Sequence, residues 1–182
     1  MHSKIFQEYA KVICTKEIAH NTFETVLSSP NISKYVKPGQ FINIVPSEDW
    51  DSIMRRPMSV ASQDKDNLSI IYKVVGEGTR LMRDWAVNQS VDILGPLGNF
   101  WIEYNDYEPI LIGGGVGIAP IINLKNHLDT LNIDCSLIMG ARTKDEHFLN
   151  HNPEGGIYIS TDDGSLGVNG TVIDALKSIG NN

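Results

Sequence analysis

The pattern of apolar residues changes near residue 105, and this change constrains the fold more than any other feature of the chain. Before it, short apolar runs alternate with turn-forming residues, a spacing typical of antiparallel strands in a barrel or a sandwich. The predicted strands are IFQEYAKVIC, TFETVLSS, QFINIVP, PMSVAS, NLSIIYKVV and SVDILG. One helix is predicted among them, from Gly78 to Val87, with Leu81, Met82 and Trp85 on an apolar face.

After residue 105 predicted strands and helices alternate, which indicates crossover connections and a parallel sheet. The three predicted strands are PILIGG, DCSLIMGA and GGIYIST, and the two predicted helices are APIINLKNHLDTL and TVIDALKSIG. We therefore predict an antiparallel Greek-key β-barrel in residues 1–103 and an α/β domain with an incomplete parallel sheet in residues 104–182. The boundary is expected within the segment EYNDYEP.

Charge and hydropathy exclude several function classes. The 182 residues carry a formal net charge of -7 with a pI near 5.1, whereas nucleic-acid and polybasic membrane-surface proteins need a basic patch. The chain has neither an apolar run approaching the roughly 20 residues of a membrane span nor a signal-peptide pattern at its N-terminus. We expect a cytoplasmic protein without nucleic-acid or membrane partners.

Metal chemistry is not indicated by the cysteines or the histidines. Cys14 and Cys135 lie far apart in sequence, each beside apolar residues, and are predicted to be buried reduced thiols. Two thiols cannot supply the four ligands that an iron–sulfur cluster generally takes. The five histidines show no metal-ligand spacing, since His147 and His151 fall in a predicted loop. We predict no metal ligand.

The segment ILIGGGVGIAP, Ile110 to Pro120, places four glycines directly after a predicted strand. It does not match the Gly-x-Gly-x-x-Gly dinucleotide fingerprint, because Ile118 or Pro120 falls where the third small residue belongs. Bare backbone at the start of a helix can still hold a pyrophosphate, and proline is tolerated in the first helical turn. The alternative is a glycine-rich turn that binds nothing.

Three further motifs lie upstream, and each has an ordinary structural explanation. RRPMS places two arginines at the start of a predicted strand. A guanidinium suits a phosphate and extended backbone can hydrogen-bond the edge of a flat ring, but the motif could also be a solvated arginine pair. IYKVVGEGTR runs a strand into a helix N-terminus, but its threonine could be only a helix cap. GPLGNF could be a plain turn. Their order along the chain is more informative than any single motif.

In that order, RRPMS, IYKVVGEGT, GPLGNF, GGGVGIAP, GAR and STDDGSLGVNG resemble the ferredoxin reductase family, in which a flavin-binding β-barrel precedes a nucleotide-binding α/β domain. Within that family the chain is most similar to the electron-transfer subunits of NAD-dependent dihydroorotate dehydrogenases. The resemblance runs from about residue 5 to residue 175.

The resemblance implies an FAD site and a nicotinamide dinucleotide site. The residues implied for FAD are Arg56, Pro57, Met58, Ser59, Ile71, Tyr72, Lys73, Gly78 and Thr79, with Arg56 on the pyrophosphate and Ser59 near the reactive edge of the isoalloxazine. The residues implied for NAD(H) are Gly114, Gly115 and Gly117, followed by Pro120, with Arg142, Asp162 and Asp163 near the adenosine half. Arg142 could instead be an ordinary surface charge.

The implied activity is FAD-dependent electron transfer between NAD(H) and a catalytic dehydrogenase subunit, with no side chain acting as a general acid or base. Two alternatives stay open: a stand-alone ferredoxin or flavodoxin NAD(P) reductase, and a flavin-binding module without turnover. NAD is favoured over NADP because Asp145 and Glu146 follow Arg142 closely and disfavour a 2′-phosphate, but Arg142 itself could accept one, so both dinucleotides stay open.

The sequence departs from the family pattern after its last predicted helix. The family's nucleotide domain usually continues through further strands, including one that ends in a Cys-Gly-Pro-like motif. The electron-transfer subunit normally also has a cysteine-rich segment for a 2Fe–2S cluster, which Cys14 and Cys135 do not match. We expect a truncated form of the longer pattern rather than a natural short form. FAD binding should then survive better than NAD turnover, and activity of the chain alone is left open.

Overall fold

The computed structural model describes residues 4–49, 54–102, 104 and 108–179. Its first part is a closed antiparallel barrel with the Greek-key strand order β1-β2-β5-β4-β3-β6. All six predicted strands are confirmed, as a barrel rather than a sandwich. Their bounds are β1 (Phe6–Ala19), β2 (Thr22–Ser28), β3 (Phe41–Ile44), β4 (Arg56–Asp64), β5 (Asn67–Lys73) and β6 (Ser90–Leu97).

The barrel interior is filled by side chains that alternate along each strand, as the pleat of a strand requires. Fully buried members of this core are Val12, Leu27, Ile42, Ile44, Val60, Ile70 and Ile93. Strand β1 is longer than predicted because it serves two neighbours: Phe6–Lys11 pairs with β6, and Lys11–Ala19 pairs with β2. Register shifts between Val12 and Cys14 and between Glu17 and Ala19 accompany this change of partner.

Among the described residues, two helices connect strands of the barrel. Helix α1 (Pro30–Ser33) was not predicted, and the carboxylate of Glu8 holds its start by accepting hydrogen bonds from the Ser29 hydroxyl and the Ile32 amide. Helix α2 (Glu77–Arg83) ends before Trp85, so the prediction of a helix to Val87 was too long.

The predicted apolar face of α2 is correct for Met82 and Trp85, which are buried, but wrong for Leu81, which is 36% exposed. The Trp85 indole nitrogen donates to the carbonyl of Pro46 at 2.7 Å, so Trp85 packs from the turn that follows the helix.

The second part is a parallel sheet with strand order β10-β9-β8-β7. Its strands are β7 (Ile110–Gly114), β8 (Ser136–Ala141), β9 (Ile157–Thr161) and β10 (Val168–Asn169), and its helices are α3 (Ile118–Thr130) and α4 (Val172–Ile179). The prediction of three strands was one too few, because the two residues of β10 are too short to show a hydrophobic period.

Helix α3 joins the sheet to the barrel. Ala119 packs with Ala61 and Ile71 of the barrel, and the buried amide of Asn123 donates to the carbonyl of Val60 at 3.2 Å. The predicted boundary at residues 103/104 falls in a stretch where residues 103 and 105–107 lie outside the described residues. The division into two domains at this point stays a prediction.

We expect Asn123→Ala to lower the free energy of unfolding by about 1–3 kcal/mol, because it removes the donor from a buried carbonyl. Asn126→Ala is the matched control, since Asn126 is exposed on the same helix. Urea denaturation of both variants checks this. An equal loss of stability in the two variants would show that the Val60 hydrogen bond is unimportant.

Cys14 and Cys135 are free thiols, as predicted, but both are only half-buried rather than buried. Burial raises the pKa of the Cys135 thiol above its ordinary value. Within the described ranges, no helix combines the length and apolar character needed to cross a membrane.

Candidate functional site

The glycine segment forms the turn between β7 and α3. Gly113 packs so closely on the helix that a Cβ there would lie 2.8 Å from the Cα of Ile118. Gly115–Gly117 makes a short 3-10 helix, and Gly115 has a φ of +52°, a conformation that favours glycine. Helix α3 begins at Ile118, so Pro120 lies in the first turn as predicted, although it is not the first helical residue.

The other three glycines of this turn face open space. A Cβ built on Gly114, Gly115 or Gly117 would have no heavy atom within 4 Å among the residues that the structure describes. Tight packing therefore accounts for Gly113 but not for its three neighbours. Their bare backbone leaves room for a ligand to approach the start of α3.

A cleft of about 260 Å³ opens at the end of β5 and is called here the barrel cleft. It brings together seven of the sequence-predicted residues with two that were not predicted, Val75 and Val116. Its lining is Pro57, Met58, Ser59, Ile71, Tyr72, Lys73, Val75, Thr79 and Val116. Val116 comes from the glycine turn, so the sheet part of the molecule contributes one wall.

Tyr72 forms a fixed part of the barrel cleft. Its hydroxyl lies 3.2 Å from the hydroxyl of Thr25, and its ring stacks on Phe23 with a centroid distance of 6.2 Å. Burial raises the pKa of Tyr72 to about 12. The phenol is therefore neutral throughout the physiological pH range, and the cleft receives an uncharged ring and hydroxyl from it.

Thr79 has a structural task in addition to lining the cleft. Its hydroxyl accepts hydrogen bonds from the amides of Val75 and Gly76 at 3.0 and 3.2 Å, and it donates to the carbonyl of Gly76 at 3.0 Å. The side chain thus shapes the turn before α2. Gly78 is buried in the first turn of that helix and does not belong to the cleft lining.

The two arginines of RRPMS have different surroundings. Arg55 makes a bidentate ion pair with Asp92, at 3.2 and 2.6 Å, and so belongs to the barrel framework. Arg56 begins β4 next to Pro57 of the cleft, and its guanidinium donates to the carbonyl of Met54 at 3.3 Å. Arg56 is adjacent to the cleft rather than part of its lining.

A second cavity of about 280 Å³ lies at the carboxyl ends of β7, β8 and β9 and is called here the sheet cavity. Ligands of open α/β sheets bind at this edge. Its lining is Gly114, Gly115, Gly140, Ala141, Arg142, Glu146, Ser160, Asp162, Thr171 and Val172. The strand-end rule could have indicated Gly140, Ala141 and Ser160, which the motifs alone missed.

Asp162 and Asp163 are adjacent in sequence, but their side chains have different surroundings. Asp162 lines the sheet cavity, whereas the carboxylate of Asp163 accepts from the amide and hydroxyl of Ser165 at 3.0 and 2.6 Å. These hydrogen bonds lower the pKa of Asp163 and mark it as a turn-capping residue. The Ser160 hydroxyl is buried beside the cavity and has no hydrogen-bond partner among the described residues.

One carboxylate connects the two cavities. Oε1 of Glu146, in the sheet cavity, accepts from Nζ of Lys73 in the barrel cleft at 2.9 Å and from the guanidinium of Arg142. Hydrogen bonds from Arg142 and then from Lys73 are the main causes that lower the pKa of Glu146 to about 2. The carboxylate is therefore ionised at neutral pH.

This low pKa predicts a defined loss of stability in acid. Since the folded-state pKa of Glu146 is about 2 against an ordinary 4.5, its contribution is fully present above pH 4.5 and is lost as the pH falls through about 2. Glu146→Gln should lower the urea midpoint at neutral pH, and the gap to the wild type should narrow between pH 4.5 and 2. Urea titrations across this range measure it, and a gap independent of pH would contradict the assignment.

No family model matches the chain. Curated relatives do match it, under the name dihydroorotate dehydrogenase B (NAD(+)), electron transfer subunit. The protein from Desulforamulus reducens is 33% identical over 183 residues, covering 96% of this chain and 68% of the relative. The protein from Fusobacterium nucleatum is 33% identical over 177 residues, covering 91% of this chain and 68% of the relative.

Solved structures show the same fold. The structure of an NADH-dependent reduced ferredoxin-NADP oxidoreductase superposes with a TM-score of 0.80 at 30% identity, covering 93% of this chain and 62% of that chain. Phthalate dioxygenase reductase superposes with a TM-score of 0.72 at 18% identity, covering 88% of this chain and 52% of that chain.

The barrel followed by a parallel sheet is thus the ferredoxin reductase fold, as the order of motifs predicted. The sequence relatives are more specific than the fold, since each spans nearly the whole of this chain. The chain belongs to the family of the electron transfer subunits of dihydroorotate dehydrogenase B (NAD(+)).

Proposed function

We propose that this chain binds FAD in the barrel cleft and NAD(H) in the sheet cavity and passes electrons from one to the other. The observation that carries the proposal is that a single glycine turn borders both cavities. Gly114 and Gly115 line the sheet cavity, and the next residue, Val116, lines the barrel cleft. Two ligands held in these cavities would meet at this turn.

The composition of the barrel cleft suits a flavin. Met58, Ile71 and the ring of Tyr72 supply apolar surface for a flat aromatic system, and the Ser59 hydroxyl supplies a polar contact at its edge. We assign the pyrophosphate of FAD to Arg56, which lies beside Pro57 of the cleft, and to the first turn of α2, which contains Gly78 and Thr79.

The sheet cavity suits a dinucleotide. The open backbone of Gly114, Gly115 and Gly117 would face the pyrophosphate. The hydroxyl of Ser160, which has no partner in the described part of the chain, offers a hydrogen bond at the cavity wall. We assign Arg142 and Asp162 to the adenosine half of the ligand. Asp163 would support this site only indirectly, by holding the turn at Ser165.

FAD, when bound, accepts two electrons as hydride and can release them singly, which suits transfer from NADH to a one-electron chain. The side chains of this protein would bind and orient the two ligands, and none is assigned a proton. Because the chain has two cysteines, we assign no 2Fe–2S cluster to it. We propose a catalytic dihydroorotate dehydrogenase subunit as the electron acceptor, in the cytoplasm.

An absorption spectrum before and after anaerobic addition of NADH tests the proposal. We expect flavin bands in the purified protein and bleaching on reduction by NADH. A colourless protein that does not take up added FAD would refute the proposal, and bound flavin that stays oxidised would reduce it to flavin binding. Co-purification with the catalytic subunit distinguishes a subunit from a stand-alone reductase.

A further inference from the structure

The two proposed ligand sites are joined by one charged contact that the proposed chemistry does not use. Lys73 ends β5 in the barrel, whereas Glu146 and Arg142 follow β8 in the sheet. Beside this contact, the amide of His20 in the barrel donates to the carbonyl of Asp145 at 2.8 Å. The segment after β8 is thereby tied to the barrel through both a side chain and the backbone.

We infer that Glu146 is a positioning residue that fixes the sheet cavity against the barrel cleft by holding Lys73 and Arg142 on one carboxylate oxygen. The consequence of this inference for hydride transfer depends on the proposed function. The hydrogen bonds of Glu146 with Lys73 and Arg142 do not depend on that function.

The two halves of the contact differ in exposure. The side chains of Lys73 and Glu146 are 27% and 13% exposed, whereas that of Arg142 is 73% exposed. An exposed ion pair contributes little and is easily exchanged, so Arg142 can turn toward a ligand in the sheet cavity. The more protected pair of Lys73 and Glu146 is then the part that holds the barrel and the sheet together.

Removal of the carboxylate would leave Lys73 and Arg142 as neighbouring positive charges without the oxygen that now accepts from both, and like charges repel. The barrel and the sheet would then be held by the α3 contact, where Asn123 donates to Val60, and by the backbone hydrogen bond from His20 to Asp145. Loss of the charged contact beside His20 should loosen the orientation of the sheet against the barrel. Because hydride transfer needs the reacting atoms about 3–3.5 Å apart, a small change in orientation should slow it strongly.

Four variants separate these effects: Glu146→Gln, Lys73→Met, the double variant, and Asp145→Asn. The last is the matched control, since Asp145 is an exposed neighbouring acid and the substitution makes the same change of charge. Hydrogen exchange of the His20 amide, measured on the ligand-free chain, reports on the contact between Glu146 and Lys73 and requires no electron-transfer activity. Glu146→Gln should accelerate this exchange about tenfold or more, as expected for a local opening, and Asp145→Asn should leave it unchanged.

The second readout is anaerobic stopped-flow reduction of FAD-loaded protein. Glu146→Gln should lower the rate constant at saturating NADH about tenfold, since a small misalignment is enough to slow transfer strongly, while the dissociation constant for NADH changes much less. The long-wavelength charge-transfer absorbance between flavin and nicotinamide should fall in parallel. If Glu146 acts through Lys73, the double variant should be no slower than the slower single variant.

Unchanged exchange of the His20 amide in Glu146→Gln would overturn the inference, and so would equal slowing of reduction by Asp145→Asn. A rise in the NADH dissociation constant without a change in the limiting rate would also overturn it, because Glu146 would then be a binding residue. If wild-type flavin is not reduced by NADH, the proposed function fails, and hydrogen exchange still decides the role of Glu146.

Discussion

Gly113→Ala should lower the free energy of unfolding by about 1–3 kcal/mol, as overpacking of a tight contact usually does. A methyl group at this position would lie 2.8 Å from both the Cα and the Cδ1 of Ile118. The Cα belongs to the backbone at the start of α3, so the helix would have to move away from β7. Urea or thermal denaturation measures the loss.

Gly114→Ala is the matched control for this prediction, because it adds the same methyl group one residue later. The added Cβ has no heavy atom of the described residues within 4 Å, and the φ of -113° suits any residue. Stability should therefore hardly change, while binding of NAD(H) should weaken because Gly114 lines the sheet cavity. An equal loss of stability in both variants would show that close packing at Gly113 is not the reason for the first effect.

The strands of the barrel could be predicted from sequence because their signal is local. In β2 and β5, apolar side chains alternate or run continuously between turn residues. The pairing of the two strands, such as Thr25 with Ile70, is not local and was not predicted. The full length of β1 could not be predicted in this way. Its second half depends on the partner change and the register shifts after Val12, which only the closed barrel produces.

Helix α1 and strand β10 were not predicted because residues outside these short elements stabilise them. Helix α1 has four residues and depends on Glu8, which accepts from the Ile32 amide 24 positions away. Strand β10 has two residues and exists only because it pairs with β9. Neither element carries enough residues to show a periodic pattern of its own.

The candidate site could be predicted from sequence only in part. Motifs at strand ends, such as the segments around Ser59 and Gly114, are gathered by the topology of the barrel and the sheet. The contact between Lys73 and Glu146 joins residues 73 positions apart and follows from tertiary structure alone. The sequence suggested Glu146 only as a charge near Arg142, not as the link between two cavities.

Val116→Asp should raise the dissociation constant for FAD about tenfold or more, although Val116 lies in the sheet part of the molecule. Val116 is 42% exposed and lines the barrel cleft together with residues such as Met58 and Ile71. A carboxylate at this position would lose its hydration when a flat apolar ring enters the cleft, and desolvation of an unpaired charge costs much free energy. It would also repel the negative pyrophosphate of the ligand.

Val87→Asp is the control for this prediction, since Val87 is 63% exposed and is absent from the cleft lining. Fluorescence titration of apoprotein with FAD measures the affinity of both variants, and urea denaturation should show that neither loses much stability. If Val116→Asp binds FAD as well as the wild type, the barrel alone holds the flavin. The glycine turn would then not border the flavin site, and the proposal that hydride crosses at this turn would lose its structural basis.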